Sequence, residues 1–146
     1  MKRLSFGFIA ILMVTHLNLP TLQAAGGLTQ QQPIEINVSM GNEGNAFQFF
    51  PDFLQFETVK LYRLILINPT PPKKYFFSEG PFQPVFTYKF QMNDGDGKPI
   101  DEIKGLIRKI GVYPKRVGEG WFVPAKTVEF DDLKCTVLDH AEGGMI

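Results

Sequence analysis

The stretch PIEINVSM sets Ile34, Ile36, Val38 and Met40 against Glu35, Asn37 and Ser39 in strict alternation. A period of two is what a strand with one buried and one wet face requires. The alternation returns in FTYKFQM, which runs into the turn cluster NDGDGKP, and a strong strand is expected from Lys60 to Asn68, stopped by Pro69. Between them TPPKKYFFSEGPFQPVF carries prolines at 71, 72, 81 and 84. Each removes a backbone donor and fixes φ, so helix is implausible there. GWFVPAKTVEFDDLKC supplies two more strands around Pro124, the second expected from Thr127 to Cys135. IDEIKGLIRKIGVYP reads two ways. Ile103, Leu106, Ile107 and Ile110 suit one face of a helix, whereas Ile103, Gly105, Ile107 and Lys109 alternate as in a strand. Roughly seven or eight short strands, with turn signals about every ten residues, predict one all-β domain built as an antiparallel β-sandwich.

The N-terminus reads differently. MKRLSFGFIAILMVTHLNLPTLQAA starts with Lys2 and Arg3, runs apolar from Leu4 to Val14 and ends on Ala24 and Ala25. That is the layout of a secretory signal peptide, and the apolar run is short for a bilayer span. The expected division is a leader over residues 1–25, a flexible polar segment over 26–33 and a domain over 34–146. No later apolar stretch is long enough to cross a membrane, so an exported monomer, periplasmic or secreted, is expected. Removing Lys2 and Arg3 leaves 13 basic against 15 acidic residues, a net charge of −2. So slight a charge argues against nucleic acid and gives no support for anionic membranes as partners. The single cysteine, Cys135, cannot form an intrachain disulfide. It must be buried, paired between chains or put to chemical use.

The chain closes on CTVLDHAEGGMI, which spaces Cys135, His140 and Met145 evenly, five positions apart. Thiolate, imidazole and thioether form the soft ligand set that favours copper, above all Cu(I). Cys135 ends an expected strand, and Gly143 and Gly144 permit a tight return, so one short loop could present all three to one ion. With five methionines and two histidines in the chain, the spacing alone does not separate a metal site from chance.

C-x4-H-x4-M, and DHAEGGM within it, resembles the copper loop of the cupredoxins, the blue-copper family. FETVKLYRLILINPTPPKKYFFSEG resembles the stretch of exported cupredoxins that leads into the first histidine ligand. EIKGLIRKIGVYP and WFVPAKTVEF resemble the family's later strands. The likeness runs from about Ile34 to Met145 and is most specific in the closing loop. It implies a Greek-key β-sandwich holding one copper and carrying single electrons between partner proteins. The family's ligand set is His, Cys and His in a plane, with a distant axial Met. Here that set reduces to Cys135, His140 and Met145.

Two departures follow from the same comparison. Lys74, in KKYF, stands where the family has its first histidine, and His140 is the only histidine after the leader. The family also continues past its methionine into a final strand, whereas the sequence here ends at Ile146. A charged ammonium cannot bind a metal, and deprotonating it at pH 7 costs about 4–5 kcal/mol from a reference pKa of about 10.4. Lys74 is therefore expected to point to solvent and leave an open position for water or an anion. A three-ligand soft site favours Cu(I), which tolerates low coordination.

Other candidates are weaker. NDGDG lacks the later oxygen ligands of a calcium loop, since Lys98 and Gly105 occupy those places. No GxGxxG, GxSxG or phosphate-binding loop is present, and nothing around Cys135 or His140 supports a thiol-protease dyad. No enzyme is expected. Phe47, Phe49 and Phe50 read as core or edge packing with the option of a docking patch, and Trp121 reads as a core residue. The function expected is a single-electron carrier with a redox partner protein. The alternatives are a Cu(I) handling protein with a copper donor or acceptor, and a degenerate cupredoxin serving as a metal-free interaction module.

Overall fold

β1 (Ile34–Met40) and β3 (Tyr62–Asn68) carry the alternation into space. Tyr62, Leu64, Leu66 and Asn68 point inward, while Arg63, Ile65 and Ile67 are half-buried on the other face. The computed structural model describes residues 27–78, 85–94, 96–127, 129 and 131–146. The leader expected over 1–25 lies outside the described residues. Beyond these two strands the chain forms β2 (Phe49–Phe50), β4 (Lys74–Phe77), β5 (Val85–Asn93), β6 (Pro99–Ile103), β7 (Lys109–Val112) and β8 (Arg116–Pro124). The described helix is limited to a 3-10 turn, Leu28–Gln30. The fold is thus nearly all-β, and no described helix is long and apolar enough to cross a membrane.

Six strands form one sheet in the order β2-β1-β3-β8-β5-β6, and β4 pairs with β7 in a second. The sheet is mixed, which corrects the wholly antiparallel expectation: β1 runs parallel to β3, from Ile34 opposite Tyr62 to Ser39 opposite Ile67. The segment 41–61 allows this, because parallel neighbours need a long connection and cannot be joined by a tight hairpin. Part of that connection is β2, which turns back antiparallel along the end of β1.

The two sheets enclose one core. Val38, Met40, Leu64, Leu66, Phe90 and Phe122 from the large sheet meet Phe76, Ile110 and Val112 from the small one. Phe56, Tyr62 and Phe122 form an aromatic cluster with ring centroids 5.0–5.9 Å apart. The Tyr62 hydroxyl accepts a hydrogen bond from the Glu57 backbone N–H at 2.8 Å, so its polar tip is satisfied. Beside Phe90, β8 carries Gly118 and Gly120, because a Cβ at Gly118 would lie 2.7 Å from the Phe90 ring.

Three local expectations change. The ambiguous 100–114 segment holds two strands, β6 on the large sheet and β7 on the small one, parted by residues 104–108 with Gly105 at φ +124°. The strand expected from Thr127 to Cys135 is absent among the described residues there. One bridge joins Lys134 to Phe77, and Asp132 instead takes the Ser78 hydroxyl. Trp121 is not a core residue. Successive strand side chains face opposite ways, so Phe122 fills the core while Trp121 lies half-buried outside, under the Lys89 and Arg63 side chains.

Replacing Leu66, fully buried, with Ala should lower unfolding free energy by about 2–5 kcal/mol. Gly118→Ala, which presses on Phe90, should cost about 1–3 kcal/mol. Leu138→Ala, at a side chain 84% exposed, should stay within about 0.5 kcal/mol in the same urea titrations.

Candidate metal centre

The closing loop is held shut by its own backbone. The Cys135 N–H donates to the Met145 carbonyl and the Met145 N–H to the His140 carbonyl, both at 3.0 Å. Two further turns, Gly143 N–H to Asp139 O and Gly144 N–H to Ala141 O, fold the middle. The return needs glycine at Gly144 (φ +104°). Gly143 also has little room, with the Phe47 ring 3.3 Å from where a Cβ would be.

Within this loop the Cys135 Sγ lies 3.3 Å from the His140 Nδ1. Cys135, His140 and Met145 are all buried, and Cys135 and Met145 belong to the hydrophobic core. Phe47 lays its ring against the imidazole at a centroid distance of 4.8 Å. Phe49 is core, so the three phenylalanines of the preceding loop divide between roles.

Lys74 completes the neighbourhood, but not as expected. It is fully buried rather than turned to solvent. As first residue of β4 it shares the inward face with Phe76, and its ammonium finds polar partners inside. Nζ donates to Asn68 Oδ1 at 3.2 Å and to the Thr70 hydroxyl. Asn68 in turn donates to the Pro72 and Val112 carbonyls at 3.0 and 2.9 Å. Gly41 (φ +95°) leaves the space, since a Cβ there would stand 2.9 Å from Nζ. The next residue, Tyr75, donates its backbone N–H to the Cys135 sulfur at 3.3 Å.

The electrostatics tie these groups together. Burial pushes the Lys74 pKa down, opposed by the negative charge Cys135 acquires when ionised. His140 is also held below its ordinary value, first by burial and then by the Lys74 charge, with Asp139 opposing. Lys74 therefore acts on the same small volume as Cys135 and His140.

Among the described residues no three His, Cys, Asp or Glu side chains gather into a metal-holding group. The soft donors here are one Cys, one His and one Met. With metal–sulfur and metal–nitrogen bonds of about 2.3 and 2.0 Å, two ligands of one ion stand about 3.3–3.5 Å apart at angles of about 100–110°. The Sγ–Nδ1 separation of 3.3 Å fits that requirement. The same distance also suits a thiol–imidazole hydrogen bond, so the pair is satisfied without a metal. The Lys74 ammonium cannot serve as a ligand while it keeps its proton.

Sequence spacing placed Cys135, His140 and Met145 in one loop. It did not reveal Asn68, Thr70, Gly41 or the Tyr75 N–H. The only signal was Asn68, a polar residue at an inward position of an apolar strand. The chain matches no family model, no curated protein and no solved structure.

Two outcomes follow. The folded state depresses the His140 pKa, so below the ordinary value of about 6.5 the unfolded chain binds a proton that the folded chain resists. Stability of the metal-free protein should therefore fall between pH 7.5 and 5.5, by no more than about 1.4 kcal/mol per pH unit from this group. The His140→Gln variant should lose that component in urea titrations across the range. In addition, Asn68→Ala should cost about 3–5 kcal/mol, because it strips a partner from a buried charge. The same change in a Lys74→Met background should cost measurably less, and a double-mutant cycle reads the difference.

Proposed function

We propose that the chain is an exported, cupredoxin-like copper protein with a Greek-key sandwich. Cys135, His140 and Met145 would hold one ion, and the protein would pass single electrons to a partner protein. The observation that carries this reading is the buried Cys135 Sγ, 3.3 Å from the His140 Nδ1 in a loop that Met145 closes. Bound copper would supply a one-electron couple between Cu(I) and Cu(II). The remaining chemistry belongs to the chain. Cys135 offers the thiolate, His140 its Nδ1 and Met145 a thioether. The Tyr75 N–H, donating to the sulfur, orients it and draws off part of its negative charge. The burial of these three side chains keeps water from the donors, although much of the loop around them is exposed.

Lys74 adjusts this reading. An ammonium beside the donors disfavours the more highly charged oxidised state, so the potential should be high. The same buried charge favours a second reading, in which the site holds Cu(I) for transfer and carries no electrons.

The visible spectrum of copper-loaded protein separates these. An intense thiolate-to-Cu(II) band supports electron carriage, and colourless uptake of Cu(I) supports transfer. Failure to take up copper leaves a metal-free interaction module. The Lys74→His variant should gain a strong blue band that the parent lacks or shows weakly. If both take up copper equally and look alike, Lys74 does not stand at the missing ligand position.

A further inference from the structure

The outer face of the small sheet carries an arrangement that the buried site does not use. β4 pairs antiparallel with β7, Tyr75 opposite Gly111 and Phe77 opposite Lys109. Lys74 and Phe76 point inward, so Tyr75 and Phe77 point out. The Lys109 ammonium lies 4.3 Å from the Tyr75 ring centroid and 5.9 Å from that of Phe77. The Lys73 ammonium lies 4.7 Å from the Tyr75 ring and 4.4 Å from the Tyr113 ring, and Tyr113 is 58% exposed. Gly111 makes the layout possible. A Cβ there would stand 2.7 Å from both the Lys73 Cε and the Tyr75 ring.

The large sheet shows the contrast. Its outer cations, Arg63 and Lys89, also lie over an aromatic ring, that of Trp121, but each is matched by carboxylates. Arg63 pairs with Glu35 and Glu119, and Lys89 with Glu102. Among the described residues Lys73 and Lys109 enter no ion pair. A ring face attracts an exposed ammonium by only about 0.5–1 kcal/mol and leaves its charge unneutralised. The Tyr75 and Tyr113 side chains hold the Lys73 pKa above its ordinary value, so it stays charged. The face therefore presents two positive charges beside tyrosine and phenylalanine rings; aromatic rings are enriched at protein interfaces, and the unmatched charges supply the electrostatic complementarity that selects a partner. The matching occupant offers carboxylates. Tight binding to nucleic acid draws on about six to ten phosphate contacts, and an anionic membrane on clusters of about four to eight basic residues. Lys73 and Lys109, even with the exposed Lys134 that bridges to Phe77 at the sheet edge, are too few for either.

We propose that this face, Lys73, Tyr75 and Phe77 on β4 with Lys109, Gly111 and Tyr113 at β7, docks the acidic surface of a partner protein. It rests on the copper reading only for what crosses the contact. The Tyr75 N–H, bonded to the Cys135 sulfur, puts the docked partner one residue from the buried donors.

The test uses the full chain, metal-free and copper-loaded, at low ionic strength, with polyglutamate as probe and backbone amide NMR as readout. The expected result is saturable shift changes centred on Tyr75, Gly111 and Tyr113, weakened at least fivefold by about 0.2 M salt. Lys73→Gln combined with Lys109→Gln should abolish them. Lys98→Gln, at an exposed lysine of the β5–β6 turn, should leave them intact. Shift changes centred elsewhere, or survival of binding in the double variant, overturn the proposal. So does binding to phosphatidylglycerol vesicles without binding to polyglutamate, which assigns the face to a membrane. Polyglutamate binding by a chain that takes up no copper keeps the docking face and discards the copper reading.

Discussion

One side-chain amide joins the two sheets at the site. Asn68 ends β3 of the large sheet, and its Nδ2 holds carbonyls of Pro72, just before β4, and Val112, on β7 of the small sheet. Its Oδ1 accepts from the Lys74 ammonium. Both its N–H donors and one acceptor position of its oxygen are thus used around the gap between sheets. An ion moved from water into a protein interior loses several kcal/mol of solvation even after relaxation. Asn68 and Thr70 return part of that in fixed geometry, and Gly41 supplies the space. The small sheet is anchored where the charge is solvated, so the site's electrostatics and the core's geometry cannot be varied independently.

The existence of strands was legible because an alternating pattern reports which residues need burial. Their direction was not. A period of two describes a strand's faces and is silent about its neighbours, so the parallel β1–β3 pair lay beyond it. The 100–114 segment shows the opposite limit. Its alternation is real but belongs to two sheets, and the division falls at a glycine in a conformation few other residues adopt. Trp121 was misplaced because size and hydrophobicity suggested burial, while its position beside Phe122 dictated the outer face.

At the site, the spacing of Cys135, His140 and Met145 was legible because one short loop contains them. The surroundings were not, since they come from the segment after β1, from β3 and from β4. Lys74 is the instructive case: the sequence resemblance placed it at the vacant ligand position beside the loop, but not buried. A lysine in a four-residue strand reads as solvated, and only the three-dimensional path reveals the amide and hydroxyl that receive it. Its burial changes the chemistry open to the loop. A solvent-facing lysine would have left a vacant position for water or an anion, whereas a buried one fills that neighbourhood with positive charge.

β4 then links interior and surface. Its four residues alternate between Lys74 and Phe76 inside and Tyr75 and Phe77 outside, while the Tyr75 backbone N–H reaches the Cys135 sulfur. A slip of one residue would exchange the faces, placing the ammonium in water and the tyrosine in the core. Pairing with β7 resists that slip along the strand, and the Phe77–Lys134 bridge resists it at the far end. That bridge also fixes the residue before Cys135. The register that buries the charge therefore also sets the sulfur's position and keeps both lysines of the outer face over their rings.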